Sequence, residues 1–287
     1  MEAETIIGSI AVIITVTTLL SASVQDWRER EVSNFHWVII GVSGLILFTV
    51  YSILETGFRI EYLAMAVGTA LILVDILVDR EFNSLLFYFL LAVLFIPSLY
   101  GNLSDPVMAA WAVIPISYIL FMGMYIFDIV RGGADAKCLI VLSVMFPIYP
   151  VMFGMPLIEV SDTVMSQIFV FPIMVLFIAA LAMIPIMFCF FVRNLIKGEF
   201  CKKAIQGYKM ELSAARESKV WPIEDIKEGK RVSIGVPEDE KINEIYERME
   251  AAGYDEVWVT PMIPFLIPIT FAVIFLVVIG NPLFFIG

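Results

Sequence analysis

The chain has 287 residues, 60% of them hydrophobic and 16% charged, with a formal net charge of −11. Its mean hydropathy of +0.92 lies beyond that of a soluble domain, which is about half apolar, and this excludes an ordinary water-soluble enzyme. No basic stripe interleaved with aromatics points to nucleic acid, and Cys138, Cys189 and Cys201 form no C-x-x-C pair, so neither a zinc site nor a disulfide framework is expected.

A transmembrane helix needs about 20 mostly apolar residues. Runs of that kind are expected at 5–24, 35–54, 60–78, 84–100, 108–127, 136–153, 166–192 and 262–286. The first follows Glu2 and Glu4 with no Lys or Arg, the reverse of a secretory leader, so it reads as a retained helix. Pro97, Pro115, Pro147, Pro172, Pro185 and Pro268 fall inside apolar runs, which membrane bundles tolerate because neighbouring groups satisfy the freed carbonyls. The expected fold is an all-α polytopic membrane protein, a bundle of about eight transmembrane helices with one cytoplasmic insertion before the last. The corresponding divisions are 1–192, 193–257 and 258–287.

The insertion is charged and short, and is expected to lie on the membrane face rather than fold by itself. Within it, 238–252 reads as a helix, with Ile242, Ile245, Tyr246 and Met249 on one face and Gly253 as C-cap. Phe200, Ile205, Tyr208 and Leu212 form either an interfacial stripe or, by preference, the packed face of a short helix.

Charge sets the orientation. With the amino terminus outside, every Lys and Arg except Arg59 falls in an inner segment, as the positive-inside rule requires. Arg28, Arg30, Arg80, Arg131 and Lys137 carry the vote in the short loops.

Carboxylates at membrane depth are costly and mark function. Asp26, Asp75, Asp79, Asp128 and Asp135 are the candidates. Asp75 lies deepest in a span; Asp128 has Arg131 three residues on, an ion-pair spacing; Asp79 adjoins Arg80 in a loop. Asp26 follows the first span in VQDWREREVSN, and Asp135 opens the sixth in RGGADAKCL. An even number of spans lies between them, so both reach the cytoplasmic end. Two carboxylates sharing a site hold one proton between them, and such a pair can activate water and protonate a carbonyl. Gly132 and Gly133 permit close backbone approach. The alternative is a Gly-Gly turn with Asp135 as a helix cap.

Asp26-Trp27-Arg28 with Val32-Ser33-Asn34, then Gly132, Asp135 and Lys137, resemble the paired motifs of the archaeal type IV prepilin peptidase family, which includes the preflagellin peptidases. Ala134 stands where the family's second motif has another glycine. Val257–Phe271, VWVTPMIPFLIPITF, resembles the start of the family's last helix. The resemblance implies an aspartyl endopeptidase with Asp26 and Asp135 as its catalytic pair and Arg28, Asn34, Gly132, Gly133 and Lys137 as motif support. It implies precursor substrates with a short basic leader before a hydrophobic helix, cut at the cytoplasmic face of the plasma membrane, with acidic Glu29, Glu31, Glu199 and Glu211 as candidate readers of the leader. Lys137 either favours an ionised Asp135 or anchors a helix end. His36, the lone histidine, reads as an interfacial residue beside Trp37, and no cofactor or metal is expected. Many bacterial relatives also methylate the new amino terminus and carry a cysteine-rich zinc segment; this sequence shows no such segment, so protease activity without methyl transfer is expected. The competing readings are a presenilin-like intramembrane protease, whose Pro-Ala-Leu tripeptide does not occur here, and a transporter using Asp75.

Overall fold

A computed structural model describes residues 3–78, 84–158, 169–199 and 201–285. Asp79, Arg80 and Phe200, singled out above, lie outside the described residues. The chain divides into two compact units, Met1–Ala180 with Pro264–Gly287, and Leu181–Ile263.

The first unit is helical. Its helices are α1 (Ala3–Glu29), α2 (Asn34–Thr56), α3 (Ile60–Leu77), α4 (Ser84–Leu99), α5 (Pro106–Ile126), α6 (Gly133–Met145), the amino-terminal part of α7 (Phe171–Ile196) and, late in the chain, α10 (Leu266–Val278). The ends follow local chemistry. Ser33 caps α2 by accepting the Phe35 N–H, and Gly57 at φ 81° ends it. Asp105 caps α5 through the Val107 N–H, with Pro106 at the first helical position, where its missing donor costs nothing. Arg59 reaches Asp105 at 2.8 Å and so ties the start of α3 to that of α5.

α6 is the central helix. Its residues from Cys138 to Met145 are buried, and it packs chiefly against α2 and α5. Glycine lets α2 come close: a Cβ at Gly44 would stand 2.7 Å from the Met145 Cα, the small-residue contact typical of membrane helices. Around this core the outer faces remain apolar. Ile13, Ile46, Leu63, Ile116 and Ile119 are all exposed, a surface suited to hydrocarbon rather than water.

Among the described residues, five helices are long and apolar enough to cross a membrane: 4–29, 34–56, 60–77, 106–126 and 171–196. The helices at the expected fourth, sixth and eighth spans are shorter, with 16, 13 and 13 residues, so five of the eight expected spans coincide with helices of full crossing length. The sixth stops at Met145 because Phe146 precedes Pro147 and is held out of the helical region. The eighth starts only at Leu266 and gives way before Gly280, at φ 93°.

The second unit corrects the all-α expectation, since strands and helix share an apolar cluster there. Besides the carboxyl-terminal part of α7 it contains β1 (Tyr208–Glu211), α8 (Leu212–Glu217), β2 (Val220–Pro222), β3 (Glu224–Lys227), β4 (Lys230–Ser233), α9 (Ile242–Ala251) and β5 (Glu256–Pro261). An antiparallel sheet in the order β1-β5-β2 pairs Tyr208 with Val259 and Val220 with Pro261. β3 and β4 form a hairpin turning at Glu228 and Gly229, both at positive φ, as a two-residue turn demands. Leu212, Ala215, Val220, Val257 and Val259 pack against Ile245, Tyr246 and Met249 of α9. That apolar face and Gly253 stand as expected: the Gly253 and Tyr254 N–H groups bond the Glu250 and Met249 carbonyls, a Schellman cap. The stripe of Ile205, Tyr208 and Leu212 is not a helix face, since Tyr208 is in a strand and Leu212 is in the core. Glu224 is fully buried, with Lys203 Nζ at 2.5 Å, Arg231 beside it and the Trp258 N–H at 2.7 Å.

Candidate active site

Asp26 stands in the last turn of α1 and Asp135 in the first turn of α6, each half-buried. The two carboxylates lie within electrostatic range of one another. The Arg30 charge also acts on Asp26, which stands near the Leu266 backbone at the start of α10. Below Asp26, Ser23 Oγ meets Thr270 Oγ1 at 2.8 Å and donates to the Leu266 carbonyl, which fastens α1 to α10.

The end of α1 is also fastened to α2. Gln25 Oε1 accepts the Ser33 N–H at 3.2 Å, while its amide donates to Glu29 at 2.7 Å. His36 joins Ser21 Oγ at 3.1 Å through Nε2 and the Ser33 carbonyl at 3.2 Å through Nδ1. The lone histidine thus bridges two helices. Nothing in its sequence setting signalled this; the partner is fifteen residues away and meets it only when α1 and α2 fold back on each other.

The motif residues separate by role. Lys137 Nζ donates to Asn34 Oδ1 at 3.0 Å, and Asn34 Nδ2 donates to the Leu77 carbonyl at 3.2 Å; among the described residues Lys137 makes no ion pair with Asp135. Gly132 is the residue before α6, and a Cβ there would stand 2.8 Å from the Asp135 Cγ. The Asp135 carboxyl therefore folds back into the space that glycine leaves. Gly133 has no such neighbour, its nearest being Tyr125 Oη at 3.7 Å. Arg28 is exposed at the end of α1.

Three of the other carboxylates have partners. Asp75 accepts the Tyr118 hydroxyl at 2.7 Å, and Asp128 meets Arg131 at 3.5 Å on an exposed turn. Glu199 contacts Lys209 at 3.4 Å. Cys138 is buried, Cys189 and Cys201 are exposed, and all three are free thiols. Among the described residues no group of three or more His, Cys, Asp and Glu could hold a metal ion. The chemistry within reach is that of a carboxylate pair, proton transfer to and from water and a carbonyl.

Residues 202–281 match the family model described as archaeal peptidase A24, C-terminus, type II. That stretch carries the sheet, α9 and α10, and includes neither Asp26 nor Asp135. Over the whole chain, similarity extends to a preflagellin peptidase of Methanococcus maripaludis, 28% identical over 97% of this chain and 95% of that protein. A preflagellin peptidase of Methanococcus voltae is 25% identical over 95% of this chain and 96% of its own length. One of Methanocaldococcus jannaschii is 28% identical over 56% of this chain and 68% of its own. Similarity to archaeal preflagellin peptidases thus extends along nearly the entire sequence, the stretches around Asp26 and Asp135 included.

Proposed function

We propose that the protein is a membrane aspartyl endopeptidase that removes the short basic leader from archaellin or other pilin-like precursors. The observation that carries this reading is that the end of α1 and the start of α6 are both bonded to the first turn of α2, through Gln25–Ser33 and Lys137–Asn34, which brings Asp26 and Asp135 to one end of the bundle. The similarity to preflagellin peptidases names the precursor class. In this reading one carboxylate takes a proton from a water molecule as it attacks the scissile carbonyl. The other, protonated, donates to the carbonyl oxygen, and proton return to the leaving nitrogen completes hydrolysis. Two carboxylates sharing a partly buried place favour this singly protonated pair.

The remaining details belong to the same proposal. The short α4, α6 and α10 complete a set of eight helices at membrane depth, with α6 enclosed by its neighbours. The positive-inside count supports a pair standing at the cytoplasmic face of the plasma membrane, where a leader preceding a hydrophobic helix would be exposed. Glu29 and Glu31, exposed just past Asp26, complement a basic leader.

The test is leader cleavage in membranes bearing the wild type, Asp26→Asn, Asp135→Asn or Asp75→Asn, with a preflagellin carrying a basic leader and a gel-shift readout. Asparagine keeps the shape and removes the titrating carboxyl. Cleavage is expected to vanish in the first two variants and to persist in the third. A wild type that leaves the precursor intact, or aspartate variants that cleave it normally, would overturn the proposal.

A further inference from the structure

The first turn of α2 is where three helix ends meet. On one side Ser33 and His36 hold the end of α1, through Gln25 and Ser21. On the other, Asn34 receives Lys137 from the first turn of α6 and donates to Leu77, the last residue of α3. Gln25 is adjacent to Asp26, and Lys137 is two residues beyond Asp135. A continuous series of polar contacts therefore leads from one aspartate-bearing helix to the other, through a single turn.

We infer that Asn34 and Lys137 are positioning residues for the carboxylate pair, and that their hydrogen bond fixes where Asp135 stands relative to Asp26. The inference rests on the peptidase reading. A lysine serving only as an interfacial anchor would extend its ammonium into water. Here Nζ instead lies 3.0 Å from a half-buried amide oxygen. That oxygen belongs to a side chain whose other end is committed to one of the carbonyls that the end of α3 leaves without a helical partner. Both hydrogen-bonding ends of the Asn34 amide are thus used, which fixes its orientation. A hydrogen bond from a charged donor is stronger than a neutral one, so the Lys137 contact is a firm polar link between the start of α6 and α2. The link accounts for one residue in each motif through the other: Asn34 closes the first, Lys137 closes the second, and they bond to each other.

The experiment is a double-mutant cycle on the full chain in detergent, with kcat and KM measured on a preflagellin for the wild type, Asn34→Leu, Lys137→Met and the double variant. Each single substitution is expected to lower kcat about 100-fold, the effect of misplacing a catalytic group by about 1 Å, with KM unchanged. The double variant is expected to lose no more than the worse single, because both remove the same bond. Asn34→Asp keeps an acceptor for Lys137 while losing the bond to Leu77, and is expected to keep more of the wild-type kcat than Asn34→Leu. Lys137→Leu takes the place of Lys137→Met if the latter does not accumulate. Multiplicative losses in the double variant, losses confined to KM, or single variants at wild-type kcat overturn the inference while leaving the peptidase reading in place. A wild type that cleaves no precursor overturns the peptidase reading, and this inference with it.

Discussion

Replacing Gly132 with alanine separates the geometry of the carboxylate pair from the stability of the helix that carries it. The added methyl would stand 2.8 Å from the Asp135 Cγ and closer still to one carboxyl oxygen, well inside the roughly 3.5 Å at which carbon contacts become favourable. The obstacle is the end of a side chain, so the carboxyl swings away and the backbone stays. A displacement of about 1 Å at a reacting group costs about 100-fold in turnover, equivalent to about 2.7 kcal/mol of transition-state stabilisation. Stability should barely move. Gly132 has φ −78°, open to any residue, and the preference for glycine over alanine at a helix N-cap, about 1 kcal/mol, is offset by about 0.4–1 kcal/mol from restricting the unfolded chain. Gly133→Ala is the matched control, because its nearest neighbour, at 3.7 Å, is an ordinary contact. The assay is precursor cleavage alongside the thermal midpoint of each purified variant. Gly132→Ala at wild-type turnover, or Gly133→Ala losing as much, would show that the space beside Asp135 has no bearing on the reaction.

Two further predictions concern the unit from Leu181 to Ile263. Glu224→Gln leaves the ammonium of Lys203 and the guanidinium of Arg231 beside a neutral buried group, and is expected to destabilise that unit by about 3–5 kcal/mol. Denaturant unfolding followed by Trp258 fluorescence measures this, and a loss under about 1 kcal/mol would contradict the importance given to the buried ion pairs. At Asp225, burial by itself raises the carboxyl, yet the two hydrogen bonds from Arg248, at 3.0 and 2.9 Å, and the Ile226 N–H hold it below the usual carboxylate value. A lowered folded value stabilises above the unfolded value of about 3.9, and the contribution is lost as pH falls through the folded one. Amide protection in β3 is therefore expected to hold steady near neutral pH and to fall below about pH 4, with a smaller acid-range change in Arg248→Met. Parallel profiles for the two proteins would refute the assignment.

The long apolar helices of this protein were legible in the sequence. Apolar length and the distribution of Lys and Arg are sums over local composition, and they do not depend on how the helices pack. The face of α9 and its Gly253 cap were legible for a related reason, since a 3.6-residue period and a left-handed C-cap are local properties. Helix ends were read less well. The sixth and eighth apolar runs extend beyond the helices that form in them, because hydropathy does not register the restriction that Pro147 places on Phe146. The strands of the second unit were missed for a different reason. β1, β2 and β5 have only 4, 3 and 6 residues, too few to show an alternating pattern, and Glu256–Pro261 became a strand only because two others, Tyr208–Glu211 and Val220–Pro222, pair with it. The partnerships at the site were the least legible. Gly132 and Gly133 are indistinguishable in sequence, and only the direction of the Asp135 side chain makes one of them necessary. Likewise, nothing local to Lys137 indicates Asn34 rather than Asp135 as its partner. That choice is made when α2 and α6 pack together, because a hydrogen bond between remote segments depends on distance in space, which composition and periodicity do not encode.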